Sequence, residues 1–297
     1  MVEIRRLLCP VDFSDASRHA LNHATTLAGW YGSHITALHV RHPAFQVEPP
    51  LFFAEQAEPP LTLESLEARL REWLEPARSA GIPCDVVVAE GANTAARIVE
   101  QADALPADLI VAGTHGRGGF ERFLLGSVTE KVVRTAKCPV FTVPPPAVST
   151  SQLPFKRLLC AVDFSEPSLS AVKYALSIAK ESDAHLTLAH VVEFLDFEDD
   201  LSERAFDLAR YREVVETDSK RRLDALVTDD VRTWCQPETK LLHGRAYEQI
   251  LATAAAEHDD LIVMGVHGRA AIDELLFGST TNQVVRRATC PVLTLNR

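Results

Sequence analysis

The chain has 297 residues, a length that suits about two domains. Apolar residues make up 46% and charged residues 24%, which excludes a disordered or fibrous chain. A net charge of −11 argues against nucleic-acid binding, because that needs a basic face to displace counterions.

In chain order, the apolar run at roughly 5–11 reads as a buried strand. Ser14 then suits a helix N-cap and Gly32 its stop. "SHITALHV" is the next strand, and 42–60 carries neither helix nor strand signals. A helix is expected over 61–80, ended by Gly81. "PCDVVVAEG" is a strand, 94–103 a short helix and "ADLIVAG" a further buried strand. A helix over 126–136 and the strand "CPVFTV" close the series.

The whole series then repeats. "RRLLCPVDFSDAS" (5–17) returns as "KRLLCAVDFSEPS" (156–168), and "ADLIVAGTHGR" (107–117) as "DDLIVMGVHGR" (259–269). Copy two carries a longer helical segment at 201–228. The expected domains are 1–146 and 153–297, joined by the Pro/Ser-rich "PPPAVSTSQLP" (144–154). Alternating β and α with short apolar strands predicts two repeated open parallel five-stranded sheets, each with helices on both faces. Ligands of such sheets bind beyond the carboxyl ends of the strands. Asp12, Val40 and Gly113 stand at such ends, as do Asp163, Val191 and Gly265.

After its fourth strand each copy has Gly-x2-Gly-x9-Gly-Ser, as "GTHGRGGFERFLLGS" (113–127) and "GVHGRAAIDELLFGS" (265–279). Glycine permits positive φ and close backbone approach. Gly126-Ser127 and Gly278-Ser279 open helices, whose free N–H groups favour an anion. Ser127 and Thr129 can add hydroxyl donors. A purely structural role for these glycines, as tight strand exits, stands beside that reading. The loop lacks the Lys of a P-loop, and the first strand lacks the dinucleotide fingerprint.

The glycine loop, "VDFS" and "CPV" together resemble the universal stress protein family, over nearly the whole of each copy. The intact loop resembles that of the family's ATP-binding branch. The resemblance implies a Rossmann-like fold and binding of ATP, with magnesium, or of ADP or AMP. It places Pro10, Asp12 and Val40 against the nucleoside, and Ala161, Asp163 and Val191 likewise in copy two. It places Gly113, Thr114, His115, Gly116, Arg117, Gly118 and Gly119 along ribose and phosphate, with Gly126, Ser127, Val128 and Thr129. Their counterparts are Gly265, Val266, His267, Gly268, Arg269, Ala270 and Ala271, with Gly278, Ser279, Thr280 and Thr281. Family members pair through the last strand, so an intramolecular pseudo-dimer through "CPVFTV" and "CPVLTL" is expected, with a further homodimer as an extension. The implied function is a nucleotide-dependent stress-response regulator acting on a protein partner not identified by the sequence. Slow ATP hydrolysis, self-phosphorylation at Ser127 or Ser279, and a nucleotide-free scaffold are the alternatives.

The copies differ at Arg117-Gly118-Gly119 against Arg269-Ala270-Ala271, and at Glu121-Arg122 against Asp273-Glu274. Tighter ATP binding at the first site is expected from this. His115 and His267 are expected in loop packing, and His39 and His190 at the core edge. Recurring Cys9/Cys160 and Cys138/Cys290 read as buried hydrophobes. Trp30, Trp73 and Trp234 read as packing residues, and the acidic run 193–200 as a solvated loop. No catalytic pair, metal site, signal peptide or membrane span is expected, and the cysteine usage fits the cytoplasm.

Overall fold

Strand β1 (Arg6–Pro10) is the first apolar run, with Leu7, Leu8 and Cys9 sealed from solvent in a computed structural model of the chain. The structure describes residues 2–42, 62–115, 125–145, 147, 154–194, 204–235, 237–267 and 278–296. Helix α1 (Asp15–Tyr31) begins where Ser14 Oγ accepts the Ser17 N–H, and it ends at Gly32 with φ +65°. Strand β2 (His34–Arg41) follows. The helix expected over 61–80 is two helices, α2 (Leu63–Trp73) and α3 (Glu75–Ser79). Pro76 explains the break, since it has no N–H to continue the α2 ladder. Strand β3 (Cys84–Glu90), helix α4 (Thr94–Ala104), strand β4 (Leu109–Gly113), helix α5 (Ser127–Thr135) and strand β5 (Val140–Val143) complete copy one.

Copy two repeats the order with β6 (Arg157–Ala161), α6 (Glu166–Ser182), β7 (His185–Val192), α7 (Arg204–Asp224) and α8 (Asp229–Trp234). Then come β8 (Glu238–His243), α9 (Ala246–Ala256), β9 (Leu261–Gly265), α10 (Ser279–Arg287) and β10 (Val292–Leu295). The helical segment expected over 201–228 is α7, and the further helix α8 starts beyond it, where the Thr228 hydroxyl accepts the Val231 N–H.

The strand order is β3-β2-β1-β4-β5-β10-β9-β6-β7-β8. Each half is parallel, and the halves meet at the antiparallel pair β5–β10. The two expected sheets are therefore halves of one ten-stranded sheet, joined through the closing strands. Thr142 Oγ1 donates to the Val292 carbonyl at 3.1 Å and Thr294 Oγ1 to the Val140 carbonyl at 3.2 Å. One apolar cluster runs under both halves, from Leu21 and Leu70 through Phe141 and Phe155 to Leu223. On the other face the halves keep separate clusters, around Ile110 and Val132 and around Ile262 and Val284. Within the linker span Ala147 is buried, and its carbonyl accepts from His19 Nε2 at 3.1 Å. Trp30 departs from the packing expectation and is 42% exposed.

Candidate functional site

In each half the chain leaves its first strand for one neighbour and later returns on the other side. The crevice at the carboxyl ends of β1 and β4, and of β6 and β9, is thus a topological switch point. The first wall is the turn after β1. Asp12 Oδ1 accepts from the Ser14 N–H at 3.0 Å and from Ser14 Oγ at 2.5 Å. Asp163 Oδ1 does the same with Ser165, at 2.9 and 2.5 Å. Between them Phe13 and Phe164 both have φ +63°, a left-handed backbone that costs a non-glycine residue about 1–3 kcal/mol. Their rings hold the turn. Phe13 lies 4.8 Å from His39 and under the Arg69 guanidinium at 4.2 Å. Phe164 lies 4.6 Å from His190 and under Arg222 at 4.0 Å. His39 Nδ1 donates to the Val11 carbonyl at 2.7 Å, and His190 Nδ1 to the Val162 carbonyl at 2.6 Å. The two histidines therefore fasten the turn, in line with a core-edge role. Sequence reasoning missed Phe13 and Phe164, although the exact repeat of "VDFS" carried the signal.

The described ends of the glycine loop form the second wall, and the glycines there have reasons other than positive φ. A Cβ on Gly113 would lie 2.8 Å from the Ala16 carbonyl oxygen, and one on Gly265 would lie 2.8 Å from the Ser168 nitrogen. These two glycines let the strand end meet the first turn of α1 or α6. Gly126 (φ −59°) and Gly278 (φ −56°) close the loop, donating their N–H to Thr114 and Val266 carbonyls at 2.8 and 3.2 Å. A Cβ on Gly278 would stand 2.7 Å from that Val266 oxygen. The N-cap residues of α5 and α10 are glycines and supply no side-chain cap, which leaves the first-turn N–H groups without one.

Thr129 Oγ1 donates to the Gly113 carbonyl at 2.8 Å, and Thr281 Oγ1 to that of Gly265 at 2.9 Å. These bonds tie the first turn of α5 and of α10 to the end of the preceding strand. Ser127 and Ser279 are exposed. The buried Thr114 hydroxyl lies 2.9 Å from His115 Nδ1, while His115 Nε2 is buried with no hydrogen-bond partner among the described residues. Burial lowers the His115 pKa, which keeps the ring neutral. Val266 turns away from the crevice altogether. It is fully buried in the cluster of Leu8, Ile110 and Val132 in copy one. Gly116, Arg117, Gly118 and Gly119, Glu121-Arg122, Gly268, Arg269, Ala270, Ala271 and Asp273-Glu274 lie outside the described residues.

In copy two these walls enclose a cavity of about 630 Å³, within the range of small-molecule sites. Ala161, Asp163 and Val191 line it from the strand ends. Gly265, His267, Gly278, Ser279, Thr280 and Thr281 line it from the loop and α10. Ser219, which the sequence did not single out, lines it too, as does Glu193, the first residue of the acidic run. Among the described lining residues none is Lys or Arg, so a bound anion would rest on the α10 N-terminus. In copy one Pro10 and Val40 are half-buried at the matching strand ends, and Val128 is 36% exposed on the first turn of α5. Among the described residues no group of three or more His, Cys, Asp or Glu could hold a metal ion, and no helix is long and apolar enough to cross a membrane.

Residues 3–144 and 154–296 each match the universal stress protein family. A universal stress protein of Thermus aquaticus is 37% identical over 139 residues, 47% of this chain and 97% of its own length. One from Mycolicibacterium smegmatis is 27% identical over 302 residues, 97% of this chain and 95% of its own. The crystal structure of a universal stress protein from Archaeoglobus fulgidus aligns with a TM-score of 0.68 at 25% identity, over 98% of this chain and 97% of that one. With two matched copies filling one continuous sheet, the chain belongs to the universal stress protein family.

Proposed function

We propose that the chain binds adenine nucleotide, ATP with magnesium foremost, at the carboxyl ends of its strands in both copies. Occupancy then regulates its contacts with a protein partner in a cytoplasmic stress response. The observation that carries the reading is the copy-two cavity, with apolar strand ends at one side and the uncapped N-terminus of α10 at the other. An apolar base and an anionic phosphate chain need that pairing of surfaces. Asp163, fixed by Ser165, offers a carboxylate to ribose hydroxyls. Asp12, fixed by Ser14, offers the same in copy one. Magnesium, when bound, neutralises phosphate charge.

The test is to purify the chain without added nucleotide, denature it and quantify released adenine nucleotide by chromatography, with calorimetry in magnesium and ATP alongside. Between one and two nucleotides per chain, or binding at that stoichiometry, is expected. Absence of both overturns the reading and leaves an interaction scaffold. Separate Gly126→Trp and Gly278→Trp chains then rank the two sites, and the larger loss is expected from Gly126→Trp.

A further inference from the structure

The first helices of the two copies differ at a buried position. Helices α1 and α6 are both 17 residues long and both start from a serine cap, so His23 corresponds to Tyr174 and His19 to Ser170. His23 is 1% exposed, whereas Tyr174 is half-buried. Neither ring nitrogen of His23 has a hydrogen-bond partner among the described residues. Burying a polar group without a bond costs free energy, and such a group in a native core calls for an explanation.

The surroundings of the ring do not help it hold a proton. On the same helix His19 stands edge-on to it, with 4.7 Å between ring centroids. His19 is engaged in turn, its Nε2 lying 3.1 Å from the Ala147 carbonyl. Across from α1 is β5, whose Phe141 lies 6.3 Å from His23. Phe155, ahead of β6, backs Phe141 at 6.4 Å. Among the described residues His19 is the one group whose charge acts on His23, and no carboxylate offsets it. Burial first, and His19 second, lower the His23 pKa from 6.5 to about 3. The ring is neutral while α1 is seated and takes up a proton once the helix lifts into water. Acid therefore favours the lifted state. Tyr174 cannot act in this way, because burial raises its pKa above 10.0 and the phenol stays neutral from pH 7 to pH 5.

From this arrangement we infer that α1 is an acid-sensitive element built into one copy only, in which protonation of His23 releases the helix from the β5 face while α6 stays seated. Helix α1 also carries the first wall of the copy-one crevice. Its cap Ser14 fixes Asp12, and the Gly113 end of β4 rests on Ala16. Release of α1 takes that wall apart and leaves the one in copy two standing.

The test is peptide-resolved hydrogen exchange on the full chain without nucleotide, at pH 7 and pH 5, with rates corrected for the intrinsic pH dependence of amide exchange. With an ordinary imidazole value of 6.5, this step should raise the opening of α1 roughly 25-fold, and the factor holds as long as the seated ring stays neutral. Protection in α6 should not fall with it. His23→Tyr places the copy-two residue in α1, and His23→Phe keeps a ring without titratable nitrogen. Circular dichroism at both pH values selects the variant that folds, and in it the acid-dependent loss in α1 should vanish. If wild-type α1 keeps its protection at pH 5, or loses as much in the folded variant as in wild type, the inference is wrong. A loss shared equally by α1 and α6 means that acid opens the whole chain, and overturns it as well.

Discussion

Asp259 offers a test of how far one copy's core has been altered. It stands where copy one has Ala107 and is 6% exposed. Neither carboxylate oxygen has a hydrogen-bond partner among the described residues. Glu257 at the end of α9 and the adjacent Asp260 repel its charge, while Arg157 on β6 and Lys240 on β8 attract it. The Cys290 thiol, itself pushed up to about 12, faces it as well. Burial first, and the field of Glu257 second, push Asp259 up from 3.8 to about 7. Between those values the unfolded chain has released its proton and the folded chain has not. Stability contributed here therefore falls as pH rises through that window, by roughly 4 kcal/mol in all.

Asp259→Ala installs the residue of copy one and removes the penalty. Urea unfolding at pH 4.5, 6 and 8 should show the variant gaining on wild type as pH rises, by up to about 4 kcal/mol at pH 8. Glu257 runs the other way. Its pKa is lowered by its bond to Lys240 against the cost of burial, so its contribution is lost as pH falls below the usual carboxylate range. Glu257 and the raised Asp260 are present in both chains, so their own contributions cancel in the difference. A stability difference that stays flat from pH 4.5 to 8 would refute the reasoning.

Gly265→Ala should cost about 1–3 kcal/mol in urea unfolding, because its Cβ meets the backbone of Ser168 and Pro167. Leu125→Ala should cost about 2–4 kcal/mol, and the loss should appear in the unfolding of copy two, whose cluster Leu125 joins. Asn296 Nδ2 donates to the Val133 and Ala136 carbonyls at 2.9 and 2.6 Å, so Asn296→Ala should cost about 1 kcal/mol. Cys9 and Cys160 are fully buried with raised pKa, so a native-state thiol titration at pH 8 should leave both unmodified and recover them only after denaturation.

The element order was legible because two physical signals agreed at each boundary. Ser14 and Gly32 bracket α1, and a continuous apolar run marks β4. The helix break at Leu74 was also written, in Pro76, but the apolar periodicity around it outweighed that signal. The strand ends with Asp12, Asp163, Val40 and Val191 were visible from topology alone. The destinations of single side chains were not. Nothing local distinguishes a Val266 that lines a crevice from one buried across the sheet, since that depends on a contact between copies. Gly113 shows the same limit, because its neighbour Ala16 is distant in sequence. Ser219 was hidden by divergence, as its match to Leu66 emerges only through the Arg222–Phe164 contact.

The β5–β10 pair is nearly symmetric about Phe141 and Leu293, with Thr142 facing Val292 and Thr294 facing Val140. Each threonine hydroxyl bonds the carbonyl across from it. A single copy could make the same pair with a second copy of itself, so the joint alone does not require fusion. The contacts around it do exploit fusion. Phe141 packs near Phe155 and His23, and the smaller Leu293 takes the matching strand position. Leu125 enters the cluster of copy two, while Val266 enters that of copy one. Each glycine loop is thus anchored in the other half. Identical subunits would have to change both halves together, whereas one chain can substitute one half at a time. Lys240, Glu257 and Asp259 in place of Val87, Leu105 and Ala107 show that freedom at one end of the sheet, and Ser219 in place of Leu66 shows it at the other.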